Sequence, residues 1–166
     1  WPSEHWRLKF IHPKKVSAIN SVMYKNVFVL FIGILLFSCS VKPEPLILGK
    51  DACNTCKMTL MDKRFGAELV TKKGKVYKFD DLNCMVKFIT SAYEPAENIA
   101  FQLVVDFEQG EKLIDSKQAY YCQSDDIKSP MASHIAAFEK KEDLERYTKA
   151  WNGVALDWQE LVAKFR

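Results

Sequence analysis

Two β-rich runs, Ala67–Lys72 and Lys75–Phe79, meet at Lys73-Gly74, and that junction constrains the fold more than any other feature of the chain. Strand-forming residues on either side of a short link containing glycine are the pattern of an antiparallel hairpin. A helix is expected next. Asp80-Asp81 can cap its start. Leu82, Met85, Val86, Ile89 and Tyr93 then recur at helical spacing and fall on one stripe, and Pro95 lies just past its end. Ala100–Phe107 alternates, with Phe101, Leu103, Val105 and Phe107 on one face, which predicts a strand. The first unit therefore reads hairpin, helix, strand over residues 50–108.

Gln109-Gly110 marks a break, and residues 109–166 read as a second unit that echoes the first. Lys112–Asp115 and Gln118–Gln123 read as two further short strands, followed by a polar loop, Ser124 to Pro130. His134–Phe138 is a further strand. Glu142–Trp151 is a helix with Leu144, Tyr147 and Trp151 inward, closed by Asn152-Gly153. Val154–Leu156 can add one short strand. Asp157 with Glu160 forms a capping box for a last helix bearing Trp158, Leu161, Val162 and Phe165 on one stripe. The fold class is α+β: two small ββαβ-type units with an extra C-terminal helix. Each half is too small for a good core, so the halves must pack together.

The front of the chain has a different character. Residues 1–22 show no periodicity and read as an upstream segment that precedes the native start at Met23. Lys25 is followed by an unbroken apolar run, Val27 to Phe37. As a helix it would be about 16 Å long, against about 30 Å for a hydrocarbon core, so it suits a signal-peptide h-region and not a span. Leu36-Phe37-Ser38-Cys39 reads as a lipobox. Residues 23–38 are thus a lipoprotein signal peptide, with Cys39 as the lipidated residue. Residues 39–49, with two prolines, read as a tether. The expected location is the cell envelope, lipid-anchored to a membrane and facing the periplasm or exterior. Five of the 24 basic residues and one of the 21 acidic ones lie in residues 1–39, so the rest is close to electrically neutral. There is no basic patch to suggest a nucleic-acid partner.

Cys53-Asn54-Thr55-Cys56-Lys57-Met58 is the densest chemical feature. A C-x-x-C turn can bring two thiolates to one ion, and Met58 adds a thioether. Soft sulfur donors suit Cu(I), whereas Zn(II) rarely takes a thioether. Met131, in a polar loop, is a further candidate ligand. Cys84 lies on the helix face opposite the apolar stripe. It, Cys122 and His134, the one histidine of the folded part, are secondary candidates. Met61 is read as core in preference to a ligand, and Asp80 and Asp81 as helix caps. Other readings of the cysteines stay open: a Cys53–Cys56 disulfide, a redox dithiol, or a Cys₄ zinc site including Cys84 and Cys122. No nucleophile, base and oxyanion set is present in motif form, so the chain is not expected to be an enzyme.

The cysteine motif, the Gly74-Lys75-Val76-Tyr77-Lys78-Phe79-Asp80-Asp81 run, Ser129-Pro130-Met131 and Ala137-Phe138, in this order and behind a lipobox, resemble the NosL family of copper-chaperone lipoproteins. The resemblance covers about residues 46–150. It implies two small ββαβ units and Cu(I) binding by the Cys/Met motif with the loop methionine, here Met131. It also implies a copper-receiving envelope metalloenzyme as partner, such as nitrous oxide reductase or its assembly factors. The rivals are a membrane-anchored thiol–disulfide oxidoreductase and a structural lipoprotein with a zinc or disulfide site.

Overall fold

A computed structural model describes residues 40–166, and the first sheet in it is built around β1 (Ala67–Thr71), whose five residues are all buried. β2 (Val76–Phe79) pairs antiparallel with one edge of β1, closing the hairpin at Gly74, whose φ of +81° suits a residue without a side chain. Helix α1 (Leu82–Thr90) follows, and β3 (Ile99–Val105) returns along the other edge of β1. β4 (Leu113–Asp115) pairs with β3, giving the order β2-β1-β3-β4.

The second sheet repeats that scheme. β5 (Tyr120–Gln123) is central, β6 (Ile135–Phe138) and β7 (Val154–Leu156) flank it, and helix α2 (Lys141–Ala150) connects the last two. The order β6-β5-β7 is the counterpart of β2-β1-β3. The ββαβ repeat expected from the sequence is present, with α3 (Trp158–Phe165) as the added terminal helix. Its capping box forms as read: Asp157 accepts from the Glu160 amide, and Glu160 accepts from the Asp157 amide.

Two local readings need correction, and one strand pairing was open. The second hairpin is formed by β5 and β6, across the long loop between them, because β4 finds a more extended partner in β3. α1 ends at Thr90, so Tyr93 lies beyond it and is exposed. Met61 is 72% exposed and not core. The bridge between Ala52 and Thr59 aims Leu60 inward, which sends its neighbours outward.

The two units share one core. β6 has two buried faces: Ile135 and Ala137 join Leu69, Phe79, Met85 and Leu161, while Ala136 and Phe138 join Phe65, Phe107 and Leu144 under α2. Tyr121 and Cys122 divide in the same way on β5. Each half thus supplies one wall of the other's core, which is how two units of this size bury enough apolar surface.

The outer face of β1 is covered by the segment read as a tether. The Glu44 amide donates to the buried Glu68 carboxylate at 3.0 Å, and Lys78 reaches the Pro45 carbonyl at 2.9 Å and Asp51 at 2.7 Å. Leu46 packs where a Cβ on Gly66 would come within 2.8 Å of its Cδ1. Hydrogen bonds to the sheet therefore reach back to Glu44, within the span read as a tether. Cys39 and the apolar run before it lie outside the described residues. Among the described residues no helix is long and apolar enough to cross a membrane.

Candidate metal centre

The turn Cys53–Met58 is stitched to the outer edge of β2 and to α1. Asn54 donates its amide to the Lys78 carbonyl at 2.8 Å and accepts the Lys78 amide on Oδ1 at 2.7 Å. The Thr55 hydroxyl donates to the Cys84 carbonyl at 2.8 Å. The turn closes with the Cys53 amide on the Met58 carbonyl, at 2.8 Å. To achieve this Lys57 adopts φ +67°, a left-handed conformation that costs an ordinary residue about 1–2 kcal/mol. The strain is offset by the hydrogen bonds that fix both cysteines.

Those bonds bring four donor groups together. Cys53, Cys56 and Cys84 each place Sγ, and Asp80 an oxygen, all within 4.8 Å of one another. Cys53, Cys84 and Asp80 are buried, and Cys56 is half-buried at the opening. Cys56 Sγ lies 3.4 Å from both oxygens of Asp80. All four cysteines from Cys53 onward are free thiols, so the Cys53–Cys56 disulfide weighed on the sequence is not formed here.

The thiols are electrostatically unequal. Cys53 receives the Cys84 thiol hydrogen bond and the backbone N–H groups of Cys56 and Asp80, and against the cost of burial these lower it to about 6. Burial pushes Cys56 up to about 11, opposed by the Met58 amide. Cys84 is raised strongly, first because it donates its proton to Cys53 and then by burial. At neutral pH the trio thus carries one thiolate, buried and presented by hydrogen bonds. The reduced, metal-free protein is expected to gain one thiolate's far-ultraviolet absorption as pH rises through about 6. With Cys39 replaced by serine, no second step is expected in the ordinary cysteine range near about 8.5. A step centred there would show that the three thiols do not share a proton.

Asp80 is the residue the sequence reading missed. Asp80 and Asp81 were read as caps. Asp81 does sit at the N-cap position of α1, yet neither residue makes a side-chain cap bond. Asp80 faces the thiols instead. A signal existed in the spacing: Asp80 and Cys84 are four apart across a helix start, which sets both on one side.

Met58 follows the turn and its side chain is 54% exposed. Met131 is half-buried against the shared core, and its peptide is gripped on both sides. Its amide donates to Asp81 Oδ2 at 2.9 Å, and its carbonyl accepts from Asn83 Nδ2 at 2.8 Å. Asp81 also accepts the Ser133 amide at 3.3 Å. The start of α1 therefore holds the Met131 loop and presents Asp80 and Cys84 in the same turn.

Cys122 and His134 do not join the group. Cys122 is fully buried in the core under α2, where a Cβ on Gly153 would stand 2.6 Å from its sulfur. His134 directs Nδ1 to the Ile127 carbonyl at 2.9 Å. A zinc site of four cysteines is thereby excluded for this arrangement.

The family model described as NosL matches residues 46–165. Among solved structures, the chain is similar to the copper chaperone NosL from Shewanella denitrificans, with a TM-score of 0.61 at 18% identity. The match covers 73% of this chain and 96% of that chain, and at this identity it speaks for the fold. No curated protein matches.

Proposed function

The chain belongs to the NosL family, and on that premise we propose that it captures Cu(I) through its cysteine centre and hands the ion to a copper-receiving metalloenzyme of the cell envelope. The observation that carries the proposal is the convergence of Cys53, Cys56 and Cys84 from two separate elements. Cu(I) is soft and accepts two or three sulfur donors without demanding a fourth. Cys53 can bind it without first losing a proton. Cys56, at the opening, is the thiolate that a recipient's ligand reaches first.

Met58 and Met131 suit transfer. A thioether is neutral and needs no deprotonation, so it can bind and release Cu(I) without moving a proton. Met58, on the exposed side of the turn, can pass the ion outward one ligand at a time. Nitrous oxide reductase is the recipient suggested by the sequence resemblance. As a NosL-family chain this protein is not an enzyme. The thiols agree with that: the acidic sulfur, Cys53, is 1% exposed, which is the wrong placement for a nucleophile that must attack another protein's disulfide.

The test is an anaerobic Cu(I) titration of the reduced protein against a chromogenic competitor, beside Met58→Leu/Met131→Leu. One Cu(I) per chain is expected, with the double variant weaker by about tenfold or more. Absence of competition for Cu(I) would sink the proposal. Membrane attachment through Cys39 belongs to the same reading and rests on the Leu36–Cys39 lipobox. Cys39→Ala is expected to move the protein from the membrane to the soluble fraction, and an unchanged distribution would remove the anchor from the account.

A further inference from the structure

We propose that the cavity beside the Cys53–Met58 turn is a docking site for the copper-receiving protein, and that its occupant is an acidic loop carrying one apolar or aromatic side chain. The inference rests on the copper hand-over proposed above and adds where, and by what chemistry, the recipient is held.

The cavity, about 380 Å³, lies between the turn, the start of β2 and the end of α1. Asn54, Thr55 and Lys57 of the turn line it. One wall is therefore the loop that carries Cys56 and Met58, so a protein seated in the cavity reaches the loop from which the ion leaves.

The floor is aromatic. Tyr77 is 3% exposed, and its ring centroid lies 4.6 Å from that of Phe88. Tyr93 stands edge-on to Tyr77 at 6.2 Å and lies 5.2 Å from Phe88, yet it is 66% exposed. An aromatic ring left open beside a cavity is the kind of residue that anchors an interface, because it buries a large area with few rotatable bonds to fix. The volume is at the low end of the range of about 300–1,000 Å³ for ligand sites. It suits one side chain entering from a loop, and not a helix laid in a groove.

The rim is basic. Lys57, Lys75 and Lys87 come from the turn, the hairpin and α1, and all three are exposed. Among the described residues none of them is in an ion pair, whereas Arg64, Lys78, Lys112, Lys141 and Arg146 each meet a carboxylate. The Lys75 ammonium lies 4.6 Å from the Tyr77 ring centroid and 5.9 Å from that of Tyr93, which sets its charge over the floor. Glu94, a carboxylate bonded to that floor, accepts from the Tyr77 hydroxyl and from Asn98 Nδ2, both at 3.0 Å, so each of its oxygens already has a partner. The rim thus gathers positive charge on a chain whose residues 40–166 are close to neutral, and its complement is a carboxylate. Charges at a rim speed encounter more than they strengthen binding, which suits a partner that must leave after the ion has passed. A flat anionic membrane would meet the lysines and leave the aromatic floor unfilled, so a protein loop is the better match.

The probe is a capped peptide with one phenylalanine flanked on each side by two aspartates, beside the same peptide with lysines for aspartates. Each is titrated into the reduced, metal-free full chain and followed by amide chemical shifts. The acidic peptide is expected to shift Tyr77, Phe88 and Tyr93, and the basic one to leave them unmoved. Tyr93→Ala should weaken the acidic peptide by about tenfold or more. Lys75→Glu/Lys87→Glu should weaken it by about tenfold or more and bind the basic peptide instead, an exchange of preference that a misfolded variant cannot show. Cu(I) affinity, measured in the same samples, should be unchanged in both variants. No shift at these residues, shifts centred elsewhere, or equal binding of the two peptides overturns the proposal. Displacement of the acidic peptide by phosphatidylglycerol vesicles, with no effect of phosphatidylcholine vesicles, assigns the cavity to a membrane surface and also overturns it. Cu(I) bound without the peptide sinks the docking site and leaves the copper reading standing. The acidic peptide bound at the cavity without Cu(I) supports the docking surface and sinks the copper reading.

Discussion

Replacing Cys84 by serine is expected to weaken Cu(I) binding by about 100-fold or more and to leave thermal stability nearly unchanged, whereas replacing Cys122 should do the opposite. Both sulfurs are buried, and the sequence gives no reason to treat them differently. Their surroundings do. Cys84 lies beside Cys53 and Asp80, hydrogen-bonds to the Cys53 thiolate, and has its carbonyl held by Thr55. A hydroxyl there keeps the hydrogen bond and the volume but loses a soft donor. Cys122 is packed among Phe138, Ala136 and Leu144, with Gly153 making room for its sulfur. A hydroxyl there loses the apolar contacts of the larger sulfur, at a cost of about 1–3 kcal/mol, of which its one polar neighbour, Thr148, recovers part. Competitive Cu(I) titration and thermal melts of the two variants check both halves. Equal Cu(I) affinity in wild type and Cys84→Ser would remove Cys84 from the centre and return it to the role of a small buried thiol.

The fold was legible where periodicity and turn chemistry agree. Gly74 set the first hairpin, and the Asp157/Glu160 pair set the last helix. The repeat of hairpin, helix and strand was readable because each element carries its own local signal. Strand pairing is a different kind of information. β4 is three residues long, and nothing in Leu113–Asp115 says whether it lies on β3 or β5. That choice is made by the extended length of β3 and by the loop from Ser124 to His134, which lets β5 and β6 meet. Asp80 was missed because an aspartate before a helix is most often a cap, and α1 begins without one. Its carboxylate is drawn to the thiols of a turn that lies more than twenty residues earlier. The packing of the tether on β1 was missed for a similar reason: two prolines suggest an extended linker, and an extended segment can cover a strand face as readily as it can hang free. Glu68 and Lys78, opposite each other on β1 and β2, are what hold it down.

Removal of the Asp81 carboxylate is expected to cost about 2 kcal/mol of stability and to lower Cu(I) affinity to the level of Met131→Leu. Asp81 is fully buried and accepts two amides, those of Met131 and Ser133, from a loop in the other ββαβ unit. Bonds to a charged acceptor contribute about 1.5–3 kcal/mol each. Part of that is offset, because the second oxygen of Asp81 is buried without a partner and its desolvation is relieved in the variant. In Asp81→Ala the Met131 peptide keeps only its bond from Asn83, so the thioether is no longer held beside the helix turn that bears Cys84. Asp81→Asn retains an acceptor oxygen and should restore most of both losses. Asn83→Ala removes the bond to the Met131 carbonyl alone and should cost about 1 kcal/mol. The decisive comparison is a double-mutant cycle in Cu(I) affinity. If Asp81 acts by placing Met131, Asp81→Ala/Met131→Leu binds Cu(I) no more weakly than either single variant, since the second change removes a ligand already out of position. If the two losses add, Asp81 serves the fold and the methionine finds its place without it.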